Sequence, residues 1–337
     1  MTTTHENAAF PTQTTALHRA AEEAGHAPSI LNTQPWRWHI HDDALDLYAD
    51  TTRQLGATDP QGRLLTLSCG AALHHARVTL AANGFEPVTD RLPDPDHPAL
   101  LARIRAGRPQ PAGPDDASAY RAIRRRHSDR RRFSSTRAVN AGELAVLRAA
   151  AEAEHARLYR MTPDDIEFLA HATQRARVIG AKDERRVVEQ YAWTHREPGS
   201  ADGVPGDTVP AAAARPVPVR DFDLGGEATL DPGSEDDRNT EYLIIVTDHD
   251  RRADWLAAGE ATSAVWLAAT AQGLAASPMS SAVEIPGARA LLAGLVDPAG
   301  HPQLVLRAGI GPEPAPLPPS PRRPSRDVID TGEPPGR

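Results

Sequence analysis

Residues 26–40 read HAPSILNTQPWRWHI, and this stretch decides how the surrounding chain folds. It opens with residues that favour turns, and Pro35 restricts the backbone of Gln34 in front of it. Beyond the proline, Trp36 and Trp38 alternate with polar residues, which is the period-two pattern of a strand with one buried face. We therefore predict a loop that leads directly into a half-buried strand.

The sequence on either side of this stretch predicts a mixture of helices and strands, and therefore an α+β fold. Helices are predicted at residues 14–24, 62–83, 98–106, 120–126, 141–153, 163–180 and 254–272. Strands are predicted at residues 36–40, 45–50, 84–91, 156–161, 241–248 and 302–311. Residues 196–238 have little periodicity, which indicates either a functional lid or a disordered insert.

An internal repeat is visible in the spacing of four glycines. The glycines bracket two helical segments of equal length: Gly70 and Gly84 in the first copy, and Gly259 and Gly273 in the second. Each pair is followed by a similar run, ALLARI at residues 99–104 and ALLAGL at residues 290–295. Because the two matches occur in the same order along the chain, they predict a duplicated α+β unit. One chain would then contain the two halves that a homodimer builds from two chains.

We assign residues 1–110 to the first half and residues 111–330 to the second. Within the second half, residues 196–238 form the predicted lid or insert, and residues 312–337 form an extended C-terminal arm. Each half is expected to hold a mixed or antiparallel sheet flanked by helices. The chain is then expected to act as a monomer that contains an internal pseudo-dimer.

Composition excludes several classes of protein. The chain has 37 Lys and Arg against 45 Asp and Glu, and its formal charge of −8 disfavours binding to nucleic acid or to an anionic membrane. No apolar run approaches the roughly 18 residues of a membrane span, and the first residues lack the features of a signal peptide. Cys69 is the single cysteine, which excludes an intrachain disulfide. We predict a cytoplasmic globular protein.

Three polar clusters are candidates for binding. Ser29, Asn32 and Gln34 offer donors and acceptors suited to a planar heterocycle or its polyol tail; alternatively, they form a capping turn that delivers two tryptophans to the core. Residues 124–132 include six arginines, which suit a phosphate but also a solvated or salt-bridged basic face. Residues 321–324, PRRP, belong to a Pro-rich arm that is either disordered or wraps back to add positive charge to that site.

Histidines give a weaker signal. His39 and His41 share one face of the predicted strand, and His74 and His75 are neighbours on a helix. None has a partner at the spacing of metal ligands, so we interpret them as packed or surface residues and predict no metal site. The sequence also lacks the entry motifs of hydrolases, nucleoside-triphosphatases and Rossmann dehydrogenases.

Taken together, these motifs resemble a known family. PSILNTQPW at residues 28–36 resembles the PS-x-x-N-x-Q-PW signature of the FMN-dependent nitroreductases. RHSDR at residues 126–130 is similar to their phosphate-binding signature, R-[RH]-S-x-[RK]. Pro278-Met279-Ser280 resembles the segment that passes the flavin ring, and the tail at 322–324 is similar to their basic C-terminal phosphate contact. The order of the motifs resembles the Acg-like branch, a fused pseudo-dimer.

The resemblance implies a nitroreductase-like fold, FMN as cofactor, and NADH or NADPH as reductant. Carried over residue by residue, it implies the following FMN contacts: Ser29, Asn32 and Gln34 near the flavin; Arg126, His127, Ser128 and Arg130 at the phosphate; Pro278, Met279 and Ser280 beside the isoalloxazine; and Arg322 and Arg323 at the phosphate. No side chain is required as a general base, so no catalytic residue is assigned. Each signature occurs once, which predicts a single FMN site.

The implied activity is a flavoprotein oxidoreductase. It would transfer hydride by a ping-pong scheme through N5 of FMN to a small-molecule acceptor such as a nitroaromatic or a quinone. The alternative is a protein that binds or sequesters FMN under a lid formed by residues 196–238, with little or no turnover.

Overall fold

The computed structural model describes residues 11–222, 228–296, 300–312 and 317–332. Its helices are α1 (Gln13–Ala24), α2 (Arg63–Ala82), α3 (Pro114–Arg125), α4 (Ala141–Glu152), α5 (Pro163–Lys182), α6 (Glu184–Thr194), α7 (Arg252–Ala271), α8 (Ser281–Glu284), α9 (Pro286–Ala293) and α10 (Ser325–Val328). Its strands are β1 (Trp36–His41), β2 (Ala44–Ala49), β3 (Phe85–Arg91), β4 (Leu100–Pro109), β5 (Arg157–Arg160), β6 (Glu241–Thr247), β7 (Ala275–Pro278), β8 (His301–Gly309) and β9 (Ile329–Asp330). No helix among the described residues is long and apolar enough to cross a membrane.

Two sheets share one plan. The first has the order β3-β4-β2-β1-β9 and the second, read from the matching edge, has the order β7-β8-β6-β5. In both sheets the four shared strands are antiparallel, while β9 joins β1 in parallel and makes the first sheet mixed. Helix α1 packs on α2 as α4 packs on α7. The predicted α+β fold of two fused halves is therefore confirmed; the boundary at residue 110 remains a prediction.

The strand that follows Pro35 forms as its pattern predicts. Trp36 and Trp38 are fully buried in the core of the first half, whereas Arg37 between them is exposed. Strand β1 pairs with β2 in an antiparallel hairpin and with the short β9 on its other edge. This position makes β1 the link between the first sheet and the C-terminal arm.

The predicted helix at residues 98–106 is wrong. These residues enter β4, which pairs with β2 on one side and with β3 on the other. A short run of consecutive apolar residues is compatible with either structure, and here pairing on both edges decides for a strand. The match between residues 99–104 and 290–295 therefore compares a strand with helix α9, and it does not represent the repeat.

The glycine spacing does represent the repeat. Each position of α2 has its counterpart 189 residues later in α7. The two helices cross at the equivalent residues Gly70 and Gly259, where a Cβ on either would overlap a backbone carbonyl oxygen of the other helix. One turn further on, His74 Nδ1 lies 2.9 Å from Oγ of its counterpart Ser263. The two halves are thus joined by direct contact between helix backbones.

We expect Gly70→Ala to destabilise the protein, because the added methyl group must push α2 and α7 apart. The expected loss is about 1–3 kcal/mol, the usual cost of overpacking a core. Gly180→Ala in α5 is the matched control, since nothing lies within 4 Å of a Cβ there. Alanine favours a helix, so the control should gain up to about 1 kcal/mol. Urea unfolding measures both changes, and equal stability of the two variants would contradict the proposed close crossing.

Candidate functional site

A cavity opens beside the crossing of α2 and α7 and is lined by residues of both halves. Its helical wall is built from small and apolar side chains with two hydroxyls: Leu64, Leu67, Ser68 and Ala71 from α2, and Thr262 and Trp266 from α7. The wall is therefore mainly apolar in character.

The turn at residues 28–35 forms one edge of the cavity, and its backbone is constrained. Leu31, Asn32 and Gln34 have φ values of 44°, 55° and 49°, a conformation that costs energy for residues other than glycine. Ser29 Oγ accepts from the Gln34 backbone N–H at 2.9 Å, and Ser68 Oγ accepts from that of Ile30 at 3.1 Å. Such strain persists where the surrounding contacts hold it, and it is frequent at functional sites.

The amide side chains of this turn bind two distant segments. Asn32 Nδ2 donates to the carbonyl oxygens of Gly203 at 3.0 Å and Pro321 at 3.1 Å. Gln34 Nε2 donates to Ala201 O at 2.8 Å, and its Oε1 accepts from the Arg323 backbone N–H at 2.8 Å. The turn therefore holds the 196–238 segment and the C-terminal arm against the cavity.

Three arginines converge on this cavity: Arg126, Arg130 and Arg322. Arg126 is 6% exposed and lies 4.5 Å from the centroid of the Trp266 ring, while its Nε and Nη1 have no hydrogen-bond partner. Its Nη2 and the Nη2 of Arg322 both donate to His26 O, at 3.3 and 3.2 Å. The guanidinium of Arg130 lies 4.8 Å from the Phe222 ring centroid.

None of these three arginines forms an ion pair with a carboxylate within the described parts of the chain. Burial, together with the charges of Arg322 and Arg130, lowers the pKa of Arg126 to about 9. Burial also lowers the pKa values of Arg130 and Arg322 to about 10. At neutral pH all three stay charged, and their mutual repulsion favours an anion with several acceptor oxygens.

The acidic residue nearest to this cluster is already paired. Asp129 accepts from Arg131, with Nη2 to Oδ2 at 2.8 Å and Nε to Oδ1 at 3.0 Å. The Asp129 backbone N–H donates to Ala276 O at 3.0 Å, which attaches this loop to β7. Ser128, beside it, lines the cavity. The loop thus presents a hydroxyl and two arginines to the cavity while its carboxylate is directed to Arg131.

The structure brings eight of the twelve predicted residues to the cavity: Ser29, Asn32, Arg126, Ser128, Arg130, Pro278, Ser280 and Arg322. The other four do not line it. His127 Nδ1 lies 2.8 Å from Arg125 O, and Met279 is buried in the core of the second half. Gln34 is buried behind the turn, and Arg323 contacts Gln34 O at 3.1 Å and Asp50 Oδ2 at 3.7 Å. The assignment of these four residues to FMN binding remains a prediction.

Sequence reasoning missed several lining residues. Trp266 lies on a helix that is apolar on nearly all sides, so its sequence pattern does not distinguish a cavity wall from a core position. Val204 and Phe222 belong to the 196–238 segment, where no periodicity indicates which side chains turn inward. The one sequence signal that would have directed attention to Trp266 is the repeat, in which positions of α2 and α7 are compared by counting from their glycines.

Comparison with known proteins identifies the family. No family model matches the chain. It is 38% identical to "Putative NAD(P)H nitroreductase Rv3131" of Mycobacterium tuberculosis H37Rv, over 92% of this chain and 90% of the relative. It is 33% identical to "Putative NAD(P)H nitroreductase acg" of the same strain, over 94% and 96%. The crystal structure of the FMN and NADPH-dependent nitroreductase NfnB covers 64% of this chain and 99% of its own, with 20% identity and a TM-score of 0.40.

The two curated relatives place the chain in the nitroreductase family. Within that family it belongs to the branch that contains Acg, as its motif order predicts.

We expect Arg126→Met to have opposite effects on stability and on anion binding. Methionine keeps much of the side-chain volume but removes a buried unpaired charge, so the ligand-free protein should gain about 1 kcal/mol or more in urea unfolding. The same change should weaken binding of inorganic phosphate about tenfold, measured by calorimetry. The exposed neighbour supplies the control, since Arg125→Met should change neither quantity. Stability lost together with unchanged phosphate affinity would refute this assignment.

Proposed function

We propose that this chain binds FMN and is an NAD(P)H-dependent oxidoreductase of the nitroreductase type. The observation that carries the proposal is a group of three arginines at a cavity between the two halves, the buried Arg126 and the half-buried Arg130 and Arg322. None of the three has a carboxylate partner among the described residues. When bound, FMN supplies hydride transfer from NAD(P)H to a small acceptor such as a nitroaromatic or a quinone, in two half-reactions.

The arginine cluster fits the phosphate of FMN. A phosphate monoester carries nearly two negative charges at neutral pH, and guanidinium groups bind its oxygens in pairs. Arg126 has two N–H groups without partners, and Ser128 adds a neutral hydroxyl in the same cavity. In the proposal, Arg322 reaches the phosphate from the C-terminal arm, while Asn32 fixes its Nη1 through a 3.0 Å hydrogen bond.

The helical wall fits the isoalloxazine ring. It combines apolar side chains with the hydroxyls of Ser68 and Thr262, and Ser29 adds a third hydroxyl from the turn; this mixture suits a flat heterocycle with polar edges. The backbone N–H of Met279 donates to Val305 O at 2.8 Å, which leaves the N–H of Ser280 as our candidate donor to flavin N5. The protein's contribution is then to bind and orient the cofactor and to control access to it.

The equivalent place in the other half supports a single FMN site. Ala71 corresponds to Glu260 and Trp266 corresponds to Arg77, so that two lining residues are replaced by charges. Arg77 contacts Glu154 and donates to Glu260 at 2.7 Å, and Arg91 binds both oxygens of Glu260 at 2.7 and 2.8 Å. Glu260 is 1% exposed. A buried ion network thus occupies the space that a second flavin would require.

We expect equilibrium titration with FMN to saturate at one molecule per chain. The double variant Arg126→Met with Arg130→Met should lose most of its FMN affinity, because two phosphate partners are removed. Arg77→Met, at the position equivalent to Trp266, should keep the stoichiometry unchanged. Saturation at two FMN per chain would disprove the single-site proposal, and full affinity in the double variant would disprove the phosphate assignment.

A second candidate function is FMN binding with little or no turnover. It is favoured by the 196–238 segment, whose residues Val204 and Phe222 line the cavity. This segment is fastened to the first half by Arg53, which pairs with Asp202, and by the contacts of Asn32 and Gln34 described above. A cover held in this way would restrict the approach of NAD(P)H to the flavin. Residues 223–227 of the segment lie outside the described residues.

Anaerobic reduction of the FMN-loaded protein by NADPH and by NADH separates the two functions. We expect the visible flavin band to bleach with one of the nucleotides and to return when a nitroaromatic is added. A band that resists both nucleotides but bleaches with dithionite would establish the covered, non-turnover protein. Asp202→Ala removes the ion pair that holds the cover to Arg53, and it should speed reduction only if the cover limits access.

A further inference from the structure

A second polar cluster lies on the outer face of the first sheet, away from the cavity. His39 and His41 project from β1 on the same side, and Asp46 of β2 is the direct cross-strand partner of His39. One potential ligand atom from each of the three residues lies within 4.8 Å of the other two. None of the three lines the cavity described above.

The two imidazole rings are arranged side by side. Their centroids are 5.2 Å apart and their planes differ by 20°. His41 Nε2 lies 3.1 Å from Asp46 Oδ2, and its Nδ1 lies 3.8 Å from Oδ2 of the exposed Asp42. A separation of 3.1 Å is what two ligands show when each is about 2.0–2.1 Å from one ion. A metal could therefore replace the shared proton of this pair with little movement.

His39 carries the strongest indication of a ligand. It is 3% exposed, and its Nε2 lies 2.6 Å from Gly332 O. A carbonyl oxygen only accepts, so Nε2 bears the proton and Nδ1 bears a lone pair. That Nδ1 is buried and has no hydrogen-bond partner among the residues that the structure describes. A histidine that donates one N–H to a carbonyl while the other nitrogen faces a metal is the usual arrangement in metal sites.

The carboxylate of Asp46 is held in place by its neighbour in the sheet. Arg103 donates to both carboxylate oxygens, each at 2.7 Å, and Asp46 is almost fully buried. A carboxylate oxygen has two lone pairs, so Oδ2 retains one on the side of His41. Arg103 then orients the carboxylate from outside, as hydrogen-bonded partners of metal ligands commonly do.

We propose that His39 Nδ1, His41 Nε2 and Asp46 Oδ2 bind a divalent first-row transition metal ion such as Zn²⁺. Two imidazoles and a carboxylate are the ligands that such ions prefer, and the partial exposure of His41 leaves room for water as a fourth ligand. Because His39 also binds Gly332, the ion would stabilise the attachment of the C-terminal arm to β1.

Calorimetry with ZnCl₂ on chelator-treated, untagged protein tests the site. We expect one Zn²⁺ per chain, and binding at least about tenfold weaker in His41→Gln and in Asp46→Asn. Co²⁺ should give visible ligand-field bands in the wild type that both variants lose. His97→Gln is the control, because His97 forms an exposed pair with Asp94 elsewhere on the surface.

The proposal is overturned if the wild type binds no Zn²⁺, or if both variants bind it as tightly as the wild type. It is also overturned if His97→Gln removes the binding, which would assign the ion to the exposed pair. Circular dichroism of each variant, compared with the wild type, separates a lost ligand from a lost fold: a variant with native dichroism and no Co²⁺ bands supports the site.

Discussion

The contact between the backbones of α2 and α7 at Gly70 and Gly259 is the constraint on which the rest of the molecule depends. It brings the two halves so close together that side chains beside the crossing either line a shared cavity or pack in a shared core. The two helices differ at equivalent positions of the repeat. Ala71 of α2 corresponds to Glu260 of α7, and Arg77 of α2 corresponds to Trp266 of α7. A symmetric scaffold thereby acquires one cavity and, in the other place, a buried ion network.

The cavity departs from what favours stability alone. Strain in the turn at residues 28–35 and repulsion among Arg126, Arg130 and Arg322 both oppose folding, and such conflicts in an otherwise consistent structure are expected at functional sites. An anionic ligand would relieve the electrostatic part directly, because it supplies negative charge and acceptor oxygens for the Nε and Nη1 of Arg126. The same reasoning explains why the paired arginines nearby, such as Arg131 with Asp129, are structural rather than ligand-binding.

Sequence reasoning succeeded where the information is local. The period-two pattern after Pro35 acts within a few residues of chain and matches strand β1. The glycine spacing identified two helices of equal length, which are α2 and α7. The RHSDR loop lines the cavity, and its assignment to a phosphate remains a prediction. Sequence reasoning failed at residues 98–106, where pairing with two other strands decided the outcome. It could not place Asp46 beside His39, because this proximity depends on the register of β1 and β2, which no spacing along the chain reveals.

The amides of Asn32 and Gln34 show why some residues of a signature need not touch a ligand. An amide side chain carries both donors and an acceptor, so one residue can hold two segments at once. Asn32 binds the cover at Gly203 and the arm at Arg322, and Gln34 binds the cover at Ala201 and the arm at Arg323. Opening the cover would break one hydrogen bond at each amide while the contacts to the arm remain. Arg322, which Asn32 and His26 hold from outside the cover, can therefore stay in place while access to the cavity changes.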